Sequence, residues 1–127
     1  MNKKILHIEI QSADKSLQGF EDTLLQIESG KKVDPYFSIG FESLPQFAAV
    51  FTPKRWELIG VLKKSGAMSI YQLAKLLKRH YRNVHKDVTA LMKWMIIEKD
   101  EDSHVFIPWD EIDMRLPLNN GELKEAA

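Results

Sequence analysis

Between Thr52 and Lys93 apolar residues recur three times at helical spacing, and the polar residues between them mark where each run starts and stops. Trp56, Ile59 and Leu62, with Leu58 beside them, form the first run. Thr52 is a good N-cap, Pro53 suits the first helical position, and Ser65-Gly66 supplies the stop. The second run is Leu73, Ala74 and Leu77, opened by a capping box of Ser69 and Gln72. Lys78-Arg79-His80 is a short polar connection. Tyr81 to Lys93 then predicts a third helix with Val84, Val88, Leu91 and Met92 on its buried side. Two helices joined by a turn of a few residues form the helix-turn-helix pattern.

The flanks read differently. Residues 4–10 are β-branched and partly alternating, which predicts a strand. Ala13 to Ser29 carries Leu17, Phe20, Leu24 and Ile27 at helical spacing, with Lys15, Glu21, Asp22 and Glu28 opposite and Gly30 to close it. After a loop at 31–35, Tyr36 to Phe41 predicts a second strand, and Ser43 caps a short helix through Leu44, Phe47, Ala48 and Phe51. Beyond the third helix, Met95 to Lys99 and His104 to Pro108 are strand-like runs joined by the acidic turn Asp100-Glu101-Asp102-Ser103. A helix-turn-helix followed by such a hairpin is a winged helix. Ile112, Met114, Leu116 and Leu118 alternate with polar residues and predict one more strand over 112–118. The fold class expected is therefore α+β. A strand-helix-strand extension (1–51) precedes a winged helix-turn-helix with a C-terminal strand (52–118), and a polar tail (119–127) follows.

Charge sharpens this picture. Thr52 to Lys93 holds ten Lys or Arg against Glu57 and Asp87, a net of +8, while the segments before and after it carry −2 and −6. Net neutrality thus hides a basic block in an acidic frame, the electrostatic footprint of a polyanion binder. On the third helix the apolar set leaves Arg82, His85, Lys86, Thr89 and Lys93 in one stripe on the opposite side. Arg and Lys can pair with guanine in the major groove and Asn83 suits adenine, and the N-terminal end of a reading helix reaches base edges. Tyr81, Arg82, Asn83, His85 and Lys86 are the main candidates. Lys54, Arg55, Ser69, Tyr71, Lys78, Arg79, Thr89 and Lys93 complete the expected DNA-binding set. For Asn83 and Asp87 the alternative to a base contact is local capping or an intramolecular bond to a neighbouring Arg or Lys, and for Asp87, an acid among bases, that alternative is the expectation. The tip at Asp100, Glu101 and Asp102 is expected to stay off phosphate, either in solvent or paired with Lys99.

Other chemistries find little support. Cysteine is absent, which removes disulfides, thiolate zinc sites and Cys nucleophiles together. The four histidines are scattered, with His80 and His85 five apart and His7 and His104 in separate strands. Asp100 and Asp102 lack the Gly and closing Glu of a calcium loop. No Gly-rich phosphate loop and no Ser-His-Asp arrangement is visible. Neither catalysis nor a cofactor or metal is expected. No apolar run approaches the roughly eighteen residues of a membrane span, and a cytoplasmic protein is expected.

Several blocks also resemble a family of small MarR-like predicted transcriptional regulators. They are Phe41-Glu42-Ser43, Thr52-Pro53-Lys54-Arg55-Trp56-Glu57-Leu58, Ser69-Ile70 through Leu73-Ala74, Tyr81-Arg82-Asn83-Val84-His85-Lys86-Asp87-Val88 and Pro108-Trp109-Asp110-Glu111-Ile112. Together they span about residues 36 to 118. Members of that family look like the DNA-binding antitoxins of toxin-antitoxin pairs, so the resemblance implies autoregulation of an operon and a toxin partner. The chain departs from the family pattern at Trp94-Met95 and at Ser103, where a Gly is usual. The expectation is a regulator that binds double-stranded DNA as a homodimer built by residues 4–41 and 112–118, with the same ends open to a toxin. The alternative is a protein-interaction adaptor on the same scaffold without DNA binding.

Overall fold

Strand β1 (Ile5–Ile10) alternates half-buried and buried positions, turning Leu6, Ile8 and Ile10 to one side, as the two-residue period of a strand requires. It is the central strand of a three-stranded parallel sheet, flanked by β2 (Phe37–Phe41) and β5 (Glu111–Arg115). The computed structural model describes residues 3–10 and 36–118. The expected helix at 13–29, the loop at 31–35 and the tail from 119 lie outside the described residues. The fold class is α+β, with four helices and two small sheets among the described residues.

The described chain divides into two units. One holds the residues up to Ala49 together with those from Asp110 on, and the other is Val50–Trp109. In the first, parallel register sets Leu6 beside Phe37 and Ile112, and Ile8 beside Ile39 and Met114, making one apolar face. The opposite face is polar. His7 Nδ1 lies 3.2 Å from Asp113 Oδ2, the His7 ring stacks on Tyr36 at 4.2 Å, and the Tyr36 hydroxyl donates to Glu9 Oε1 at 3.1 Å. Burial and the Glu9 carboxylate push the Tyr36 phenol above its ordinary pKa. Helix α1 (Leu44–Val50) opens with Ser43 Oγ accepting from the Gln46 amide, and it buries Phe47 edge-on against Phe41. Asp110 is tied to the start of β1, accepting from the Lys4 amide through Oδ2 and donating to the Lys4 carbonyl.

The strand expected over 112–118 is five residues long. Most of its side chains are exposed, with Met114 at 48% and Leu118, beyond the strand, at 70%. Its alternation does not become burial: although β5 pairs in register with β1, only Ile112 among its five residues is even half-buried.

The second unit contains α2 (Pro53–Ser65), α3 (Ile70–Leu77) and α4 (Tyr81–Lys93), then the short antiparallel strands β3 (Glu98–Lys99) and β4 (Val105–Phe106). The caps read from the sequence are present. Thr52 Oγ1 accepts from the Arg55 amide, and Ser69 and Gln72 form a reciprocal capping box. Leu58, Leu62, Leu73, Val84, Val88, Leu91, Ile96 and Val105 are fully buried and make the core.

The hairpin strands are shorter than the runs 95–99 and 104–108, because the end of α4 occupies the first of them. Met95 has φ 63°, the Met95 amide donates to the Met92 carbonyl, and the Ile96 amide reaches back to the Leu91 carbonyl at 2.9 Å. That pair of bonds is a Schellman closure with a left-handed residue where Gly is usual. Lys78, with φ 55°, closes α3 in the same way through Arg79 to Ala74. Met68, between α2 and α3, forms a bridge with Val105 in which each amide donates to the other's carbonyl.

Candidate nucleic-acid interface

Helix α4 carries seven of the thirteen expected DNA-binding residues. Tyr81, Arg82, Asn83, His85, Lys86, Thr89 and Lys93 are all exposed, while Val84, Val88 and Leu91 are buried. Spacings of four and seven residues keep Arg82, Lys86 and Lys93 on one line of the helix. None of these three cations has an ion-pair partner among the described residues. The Tyr81 and His85 rings lie 5.8 Å apart at the start of the stripe. The Thr89 hydroxyl donates to the His85 carbonyl at 2.8 Å, which uses its proton and leaves its methyl and lone pairs.

Of the remaining six, Lys54, Tyr71 and Lys78 are exposed, and Lys75 Nζ sits over the Tyr71 ring at 4.8 Å. The other three are half-buried and already engaged. Ser69 is the N-cap of α3. Arg55 Nε donates to Asp87 Oδ1 at 3.0 Å and its Nη1 to the Val50 carbonyl at 2.9 Å. Arg79 Nη2 donates to Asp87 Oδ2 at 2.7 Å. The three side chains of this cluster are only 13 to 18% exposed. Burial by itself would raise the Asp87 carboxyl, but hydrogen bonds and charge from Arg79 and Arg55 outweigh it and hold the group below the ordinary carboxylate range. Asp87 thus pairs within the chain, and both carboxylate oxygens are taken.

One contributor was not legible in the sequence. His80, read there as connection, is the N-cap of α4, its Nδ1 accepting from the Arg82 amide at 3.2 Å. Histidine is not among the usual caps, so only its place just before the helix hints at this. It fixes the backbone at the residue that opens the basic stripe.

The charge of the second unit is unevenly spread. It holds eleven Lys or Arg against six Asp or Glu, a net of +5, and four of the six acids are Glu98, Asp100, Glu101 and Asp102 on the hairpin. Asp100 Oδ1 accepts from the Asp102 and His104 amides, so this carboxylate builds the turn. Glu101 and Asp102 are exposed, with no ion-pair partner among the described residues. Ser103 holds φ 64° at the position where a Gly is usual.

Elsewhere, a recess of about 360 Å³ in the first unit is lined by Glu9, Ile10, Arg115, Leu116 and Pro117 and gathers none of the thirteen residues. Among the described residues no cluster of three or more His, Asp or Glu side chains is placed to hold a metal ion, and no helix is long and apolar enough to cross a membrane.

No curated protein and no solved structure matches the chain. A family model described as HVO_A0114 matches residues 50–114, just over half of the 127 residues. The match starts where the helical unit starts and runs through four of the five residues of β5, leaving β1 and β2 outside it. With that coverage, the chain belongs to the HVO_A0114 family.

Proposed function

We propose that the chain is a sequence-specific, DNA-binding transcriptional regulator of winged helix-turn-helix type that reads duplex DNA with α4. One observation carries this reading. Arg82, His85, Lys86, Thr89 and Lys93 form an exposed stripe on α4, opposite its buried face, with Asn83 exposed beside it, and the cations of the stripe have no counter-charge among the described residues. Uncompensated cations aligned on one helix gain most from a polyanion, because each neutralised phosphate releases counterions. The order of elements supports the same reading: helix, Met68 bridge, two helices, then a hairpin that pairs back to the bridge. That is the succession of a winged helix. The acidic hairpin tip keeps the wing off phosphate, so base reading rests on α4.

The finer proposal, an antitoxin that represses its own operon and binds a toxin, rests on the quoted motifs that resemble MarR-like regulators. A homodimer goes with it, since helix-turn-helix proteins commonly read paired half-sites. The test is electrophoretic mobility of the chain with DNA from its own promoter and with random DNA, at two salt concentrations. Retardation of both at low salt, persisting only for the promoter at higher salt, is expected. No retardation at either salt overturns the proposal and leaves the protein-interaction adaptor.

A further inference from the structure

Asp87 occupies the flank of the buried face of α4, not the basic stripe, and its two oxygens are shared between arginines 32 and 8 residues away in sequence. Arg55 stands in the first turn of α2 and also grips the Val50 carbonyl. Arg79 stands in the connection between α3 and α4, with Nη1 buried and free of any hydrogen bond. Three side chains therefore tie the start of α2, the α3–α4 turn and the second turn of α4 to one carboxylate. A planar guanidinium forms such bonds in fixed directions, so the cluster sets geometry as well as charge.

We propose that Asp87 is a positioning residue for DNA reading and that Arg55 and Arg79 serve it. On this reading the two arginines hold α4 at the angle its stripe needs and make no phosphate contact of their own. The inference rests on the DNA-reading proposal above and reassigns two cations that charge alone would place on the duplex. It separates Arg82, Lys86 and Lys93, which face outward with no ion-pair partner among the described residues, from Arg55 and Arg79, which face Asp87.

The experiment uses the full chain, a duplex selected from a random-sequence pool by repeated binding to it, and a scrambled duplex of the same composition. Affinity for both is measured across a salt series, below each variant's melting temperature. A cation that contacts phosphate adds about 0.9 to the slope of log affinity against log salt. Lys86→Gln is expected to lose that increment on both duplexes. Arg55→Gln and Arg79→Gln are expected to keep the wild-type slope while the ratio of selected to scrambled affinity falls about tenfold, the effect of one lost base contact. Asp87→Asn removes an acid, so simple electrostatics predicts tighter binding, whereas the positioning role predicts weaker binding to the selected duplex alone. If Asp87→Asn does not fold, Arg55→Lys carries the test, since it keeps the charge and loses the planar fork. Wild-type affinity in Arg55→Lys together with a slope loss in Arg55→Gln overturns the positioning role and makes Arg55 a phosphate contact. A wild-type chain that selects no duplex overturns the DNA reading itself.

Discussion

Asp87 is the only acid on α4, and its place decides what happens to it. On the outer stripe it would oppose phosphate. On the inner flank its single charge is shared between two guanidinium groups that are themselves mostly buried. Removing one partner of such a cluster leaves uncompensated charge, so Asp87→Asn is expected to destabilise the protein by about 3 kcal/mol at neutral pH. The sign of its pH dependence follows from the depressed folded-state pKa. The carboxylate contributes its full stability above the ordinary carboxylate value of about 4, and the contribution is lost as pH falls through the lower folded value. Thermal melts of wild type and Asp87→Asn should therefore show a gap that is constant near neutrality and closes in acid. A gap independent of pH would mean that the charge of Asp87 is irrelevant and only its shape matters.

Helices were legible to the residue: capping chemistry marks Thr52-Pro53 and Ser69 as the openings of α2 and α3, and apolar spacing alone places the third helix at Tyr81–Lys93, since its His80 cap was not read. Strands were less legible, because their lengths depend on which edges find partners. β3 and β4 are two residues each, and Ile96 and Ile97 are buried outside any strand, spent in leaving α4. The α4 closure puts Met95 in the left-handed region. A side chain in the left-handed region costs about 1 kcal/mol over Gly, and Met95 is 56% exposed and loses little packing. Met95→Gly is expected to raise the melting temperature by a few degrees, about 1 kcal/mol of stability; a lower one would show that the Met95 side chain, not its backbone, matters. In the hairpin, Asp100 is needed for the turn, but Glu101 and Asp102 are not. Glu101→Ser with Asp102→Ser should raise affinity for random DNA at low salt, and the gain should fade as salt screens it. Unchanged affinity at low salt would place the tip too far from the duplex to repel it.

The chain divides into a unit with a parallel sheet and a basic helical unit, and only the second lies within the family match. What the sheet does was not legible from periodicity, since alternation predicts strands without naming their partners. β2 and β5 are its outer strands among the described residues, with Phe37 42% and Met114 48% exposed on the same face. Edges and apolar side chains of this kind favour pairing with a second copy. Light scattering at micromolar concentration is expected to give a dimeric mass that Phe37→Lys with Met114→Lys reduces to a monomer, and a monomeric wild type would refute the homodimer. The central claim concerns α4, and backbone amide NMR on the full chain titrated with the selected duplex tests it most directly. The largest shifts are expected between Tyr81 and Lys93, strongest at Arg82, Asn83 and Lys86, with the sheet of the first unit nearly unmoved. Shifts centred on that sheet, or none at all on α4, would contradict it.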